Sequence, residues 1–177
     1  MYPTILFVRQ VKAVEVRKLS GLLTFILSLA ISHSWAFGQT LSNANYYISL
    51  TQQPIILVYA TAVDYENPKV VDKAIRVVTR AKKSNYSLYA RIEPNGGTGL
   101  SQIPPNLFFL QVDNTIPAKN VPLTPFYLSN ADQLLFREYD TADKEDIYEF
   151  DFGVATLGYS YNPGLYNYLI TITLMAP

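Results

Sequence analysis

Six carboxylates crowd one short span of the chain: Asp140, Asp143, Glu145, Asp146, Glu149 and Asp151. Oxygen donors at this density could hold Ca²⁺, which extracellular domains often bind through acidic side chains. A dedicated calcium loop spaces its ligands Asp-x-Asp-x-Asp and carries a Gly at its sharp turn. This span has neither. Tyr148, Phe150 and Phe152 alternate with Glu149 and Asp151, so a strand with one wet face accounts for the last two carboxylates. The calcium reading therefore rests on Asp140, Asp143, Glu145 and Asp146, and a solvated loop is the stronger reading of them. A basic set, Lys73, Arg76, Arg80, Lys82 and Lys83, suits an acidic glycan or a lipid headgroup. Charges on the outward face of a strand more commonly discourage edge-to-edge association. Composition leaves open a carboxylate pair for glycoside hydrolysis, but no spacing picks one out.

Tyrosine is the third candidate chemistry, since 13 of the 14 Tyr residues lie beyond residue 38. Rings exposed together on a sheet face can stack on sugars or anchor a protein partner. Tyr86, Tyr148, Tyr166 and Tyr168 keep phase with the apolar face of their segments, and cross-strand packing explains them. Tyr46, Tyr47, Tyr65, Tyr127, Tyr159 and Tyr161 do not, which makes them the candidate contact surface.

Other chemistries are removed by the first part of the chain. Arg9, Lys12, Arg17 and Lys18 precede the apolar run from Leu22 to Ile31, and Ala36-Phe37-Gly38 follows. A basic region, a short apolar core and a small-x-small site describe a secretory signal peptide, with cleavage expected after Gly38. The rival is a membrane anchor over Leu19 to Thr40, but Ser32, His33 and Ser34 interrupt it and leave its apolar part short of the ~20 residues a span needs. Gln39 follows the site and the chain has no Cys, so a lipid anchor at a mature N-terminal Cys is ruled out. The expected mature chain is 39–177, with no membrane span, secreted, periplasmic or at the cell surface.

The only His (His33) and the only Trp (Trp35) go with the leader. Imidazole or thiolate zinc sites and Ser-His or Cys-His nucleophiles are then excluded, and no cofactor is implied. The balance of 14 basic against 14 acidic residues becomes ten against thirteen, which argues against nucleic acid as a partner. Disulfides are impossible, so core packing and sheet hydrogen bonds must hold the fold.

The elements that must position these residues read as strands. Tyr46–Leu50 is short, and Ile55 to Thr61 is an unbroken apolar run suited to a strand buried on both faces. Between Val70 and Lys83 helical and alternating patterns compete; the β-branched content favours a strand over about Ala74–Lys82. Tyr86–Ile92, Leu107–Val112, Gln133–Tyr139 and Ile147–Phe152 follow. Pro94 to Gly99 reads as a loop, and Pro117, Pro122 and Pro125 mark an irregular stretch. The chain closes on Leu165–Met175, where Tyr166, Tyr168, Ile170, Ile172 and Leu174 share one face and Asn167, Thr171 and Thr173 the other, with Leu169 and Met175 as its apolar members, the alternation of a half-buried strand with its second face toward solvent. Short strands between Pro, Gly and Asn turns predict a single all-β domain, an antiparallel β-sandwich of roughly 7–9 strands.

Asp64-Tyr65 with Asn67, then Ala74, Val77 and Asn85-Tyr86, and finally Pro163-Gly164-Leu165-Tyr166 with Ile170, Ile172-Thr173-Leu174 and Pro177 resemble small secreted bacterial pilin-like sandwich proteins. The closing strand is similar to the end of spore coat U-type and WxL-type surface domains. The resemblance implies an immunoglobulin-like sandwich acting at the cell surface as a structural or adhesive subunit and not as an enzyme. The WxL signature and the Cys pair common in spore coat U proteins and usher-assembled pilins are both missing. The expected partners are other surface proteins or glycans, or further copies of the chain. A carbohydrate-binding module is one alternative. Another is a pilus-like subunit that completes a neighbour's sheet by β-strand addition, which predicts that Gln39–Tyr47 is extended and undocked.

Overall fold

The computed structural model describes residues 4–16, 38–42, 46–53, 55–97, 102–139, 141–161 and 164–175. They form two sheets. The first runs in the order β4 (Ile55–Tyr59), β1 (Thr4–Val16), β11 (Leu165–Met175), β6 (Tyr86–Gly97), β9 (Gln133–Glu138). The second runs β2 (Gly38–Ser42), β3 (Tyr46–Gln52), β5 (Lys69–Ala81), β10 (Glu145–Val154), β7 (Phe108–Ile116), β8 (Phe126–Tyr127). Neighbours pair antiparallel, except that β1 runs parallel to β11. A single-turn helix α1 (Ala62–Glu66) joins β4 to β5, and a 3-10 turn (Pro105–Leu107) precedes β7.

Alternation of apolar and polar side chains turns one face of each sheet inward, and aromatic contacts join the two layers. Phe108 on β7 meets Tyr168 on β11 at 4.6 Å between ring centroids, and Phe136 on β9 meets Tyr148 on β10 at 4.5 Å. The chain is thus an all-β sandwich. On β11, Tyr166, Tyr168, Ile170, Ile172 and Leu174 are all buried, each apolar side chain contributing about 1.5–3 kcal/mol on removal from water. Thr171 and Thr173 are buried as well, at 2% and 3% exposure, so the second face is not the wet one expected. They lie in the middle of the sheet, beside Arg91 and Tyr89 of β6.

Other expectations change for reasons of place. β5 is a strand, longer than expected, and kinked where Asp72–Ala74 oppose Asp151 between the pairs Val71–Phe152 and Ile75–Phe150. Lys73 sits there with φ of 49°, and its N–H donates to Asp151 Oδ1 at 2.8 Å. β4 buries only one face: Ile56 and Val58 are exposed because β4 is an edge strand and no described residue covers its outer side. The loop expected from Pro94 is strand up to Gly97, since β6 keeps pairing with β11 through a register shift between Tyr166 and Tyr168; residues 98–101 lie outside the described residues. Gly153 fits because a Cβ there would stand 2.1 Å from the Phe109 ring.

The apolar core of the expected leader and Ala36-Phe37 lie outside the described residues. Of its basic part, Arg9 and Lys12 lie within them and Arg17 and Lys18 do not. Thr4–Val16 occupies the slot between β4 and β11, and among the described residues β1 is the only hydrogen-bonded strand neighbour of β4. A chain cut after Gly38 would lack that strand. Gly38–Ser42 pairs with β3, Gln39 opposite Leu50 and Leu41 opposite Ile48, so this part of the segment expected to hang free is docked on its own sheet. Among the described residues no helix is long and apolar enough to cross a membrane.

Candidate functional site

Two places gather a lysine, carboxylates and tyrosines. At the first, alternation along β10 turns Asp146, Tyr148 and Phe150 inward. β6 enters with Tyr86 buried opposite them, and β9 leaves with Glu138. The connection after β7 is held back by a hydrogen bond from Lys119 N–H to Thr115 Oγ1 at 2.8 Å. That fold brings Lys119 Nζ to 2.8 Å from Glu138 Oε2 and 3.0 Å from Asp146 Oδ2, and it lies 5.6 Å from the centre of the Tyr148 ring. The Lys119, Glu138 and Asp146 side chains retain only 15%, 19% and 11% exposure.

Hydroxyl groups knit the carboxylates together. Tyr86 Oη lies 3.0 Å from Asp146 Oδ2 and 2.7 Å from Tyr148 Oη. Tyr148 Oη is 3.2 Å from Glu138 Oε1, and Thr79 Oγ1 donates to Tyr86 at 2.9 Å. Burial raises the pKa of Tyr86 and Tyr148 far above the ordinary phenol value. Both hydroxyls therefore stay protonated, and both remain hydrogen-bond donors. Desolvation makes such an ion cluster costly unless its polar atoms find partners, and here Lys119, both carboxylates and both phenols have them.

The second place is the corner at α1. Thr61 caps the helix, and Asp64 at N3 answers it in a capping box. Asp64 Oδ2 accepts from Ala60 N–H at 2.8 Å, Thr61 N–H at 2.7 Å and Thr61 Oγ1 at 2.9 Å. Its Oδ1 meets Lys69 Nζ at 2.6 Å. Lys69 also donates to Val58 O and lies 4.9 Å from the Tyr59 ring centre. Lys69, followed by these amides, holds the Asp64 carboxyl well below the usual carboxylate range.

The sequence candidates scatter across this frame. Asp140 lies outside the described residues. Asp143 pairs with Arg80, Nε to Oδ1 at 2.8 Å, Glu145 is exposed, and Asp146 turns inward to Lys119. Among the described residues no three acidic side chains are placed to hold a metal ion. Of the basic set, Lys73 pairs with Asp113 at 3.7 Å, and Arg76, Lys82 and Lys83 are exposed.

Among the candidate contact tyrosines, Tyr65 is a correction. It is buried, its hydroxyl donates to Tyr59 O at 3.3 Å, and its ring belongs to the core because α1 lays it against Tyr59, 5.5 Å between centroids. Tyr46 and Tyr161 pack partly against the core, and Tyr47 is half-buried. Tyr127 and Tyr159 are exposed; Tyr127 leans on Phe109, while Tyr159 stacks on Tyr65 and donates to Glu66. Sequence reasoning missed Lys119, Glu138 and the exposed Tyr139. Lys119 stands in a Pro-rich stretch with no periodicity to give it a face, so only the packing of β9 in one sheet over β7 and β10 in the other could reveal it. The sequence matches no protein-family model, and no curated protein matches it.

Proposed function

We propose that this chain is a non-catalytic, exported β-sandwich that serves as a structural or adhesive component at the cell surface, immunoglobulin-like and pilin-like in kind. One observation carries the reading: the polar groups that could do chemistry are used to tie elements together. Asp146, Glu138, Tyr86 and Tyr148 join β6, β9 and β10 through Lys119, and Asp64 is taken up by a helix cap and Lys69. The expected absence of His, Trp and Cys beyond Gly38 supports it. Purified protein is expected to leave a panel of esters, glycosides and peptides intact and to label on the surface of unbroken cells. Turnover of any of these substrates would overturn the first half, and labelling only after lysis the second.

A second reading, β-strand addition, is favoured by the seat of β1. β1 lies between β4 and β11, and its removal would leave the backbone of both neighbours without partners along that edge. If export removes residues 1–38, an extended segment from another chain completes the sheet there. A synthetic peptide of residues 4–16 is then expected to raise the melting temperature of the exported protein. An exported protein that still carries residues 4–16 fills its own slot, and that result would exclude the reading.

A further inference from the structure

The cluster around Lys119 has the parts of a bond-forming site. We propose that the side chains of Lys119 and Asp146 condense to an intramolecular amide, with Glu138 relaying the proton. The inference stands whichever partner the sandwich meets.

Proximity comes first. The fold holds Lys119 Nζ 3.0 Å from Asp146 Oδ2 and 2.8 Å from Glu138 Oε2, and groups held at about 3–3.5 Å in an enclosed site react as if at very high effective concentration. Hydrogen bonding comes second. Tyr86 donates to Asp146 Oδ2 and Tyr148 to Glu138 Oε1, so hydroxyl groups hold both carboxyls beside the Lys119 amine. The proposed reaction opens with a proton passing from the Lys119 ammonium to Asp146. That transfer leaves a neutral amine beside a neutral carboxylic acid, the pair that can condense, in surroundings where separated charges are costly.

The step balances. The amine adds to Asp146 Cγ, forming the Nζ–Cγ bond. Glu138 takes a second proton from the nitrogen and returns it to the departing carboxyl oxygen, a Cγ–O bond breaks, and water leaves. The third ammonium proton remains as the amide N–H. No oxidant or co-reactant is needed. Asp146 is the acceptor and Glu138 the relay because Asp146 is the more enclosed of the two, has the shorter and stiffer side chain, and has Tyr86 within hydrogen-bond reach to polarise its carboxyl. The longer, more open Glu138 is free to trade protons. The product staples the segment after β7 to the start of β10, a cross-link in a chain that has no Cys.

Peptide mapping of the purified full-length chain tests this and is indifferent to processing at the N-terminus. Trypsin is expected to leave Lys119 uncut and to release Ile92–Arg137 joined to Glu145–Pro177, lighter by one water than the two together. Fragmentation is expected to place the link between Lys119 and Asp146. Lys119→Arg keeps the charge and is expected to abolish the joined peptide; Glu138→Gln keeps both reacting groups and is expected to lose most of it. A folded wild-type protein that trypsin cuts after Lys119, with both peptides at full mass, overturns the proposal without any variant. A link from Lys119 to Glu138 overturns the assignment of acceptor and relay, and a Glu138→Gln protein fully joined overturns the relay.

Discussion

Lys119 and Lys69 have nearly the same neighbours. Each ammonium lies within 3.0 Å of a carboxylate and near a tyrosine ring. What differs is who else holds the carboxylate. Asp64 takes its hydrogen bonds from the backbone three and four residues away and from the Thr61 hydroxyl, a local arrangement that needs only one helical turn. Asp146 and Glu138 take theirs from side chains on other elements. The first place is a cap that happens to carry an ion pair. The second exists only when both sheets and the connection after β7 are in place, and it is the one where a reactive amine and two acids are enclosed together.

Removing the lysine separates the two most strongly. Lys119→Met leaves two enclosed carboxylates without their cation and is expected to cost about 3–5 kcal/mol, read as a fall in denaturant midpoint; Lys69→Met is expected to cost far less. Equal losses would erase the distinction. Next comes the hydroxyl that bridges the acids. Tyr148→Phe removes one hydrogen-bond partner from Glu138 and one from Tyr86 and is expected to cost about 1–3 kcal/mol, whereas Tyr159→Phe, on an exposed ring, is expected to leave the midpoint unchanged. A smaller effect belongs to the cap: Thr61→Ala is expected to cost about 1 kcal/mol, with the map of the Lys119 peptides unaltered.

The smallest effect is one of pH. The folded Asp64 carboxyl titrates below its unfolded value, so its contribution is fully present above the ordinary carboxylate range and is lost as pH falls through the depressed folded value. The melting difference between wild type and Asp64→Asn is therefore expected to hold steady near neutrality and to shrink on acidification below that range. A difference that grows with acid would show that the sign is wrong.

Local chemistry was legible in the sequence wherever one element decides it. The alternation of Tyr166, Tyr168, Ile170, Ile172 and Leu174 marks β11 and its inner face, and Tyr148, Phe150 and Phe152 do the same for β10, because a strand's period of two is written in consecutive residues. The closing strand's second face was not legible, since burial of Thr171 and Thr173 comes from neighbours on either side. Nor was the exposure of Ile56 and Val58, which depends on β4 lying at an edge.

The acidic span was visible as composition, but its meaning was not: Asp143 goes to Arg80, while Asp146 goes inward to meet Lys119 and Tyr86. By itself the sequence determined an all-β sandwich held without disulfides, since strand periodicity and the lack of Cys are properties of the chain. Only the tertiary structure decided which lysine faces which acids, because packing of one sheet on the other and the connection after β7 bring Lys119 within 3.0 Å of both Glu138 and Asp146, and no local pattern encodes those distances.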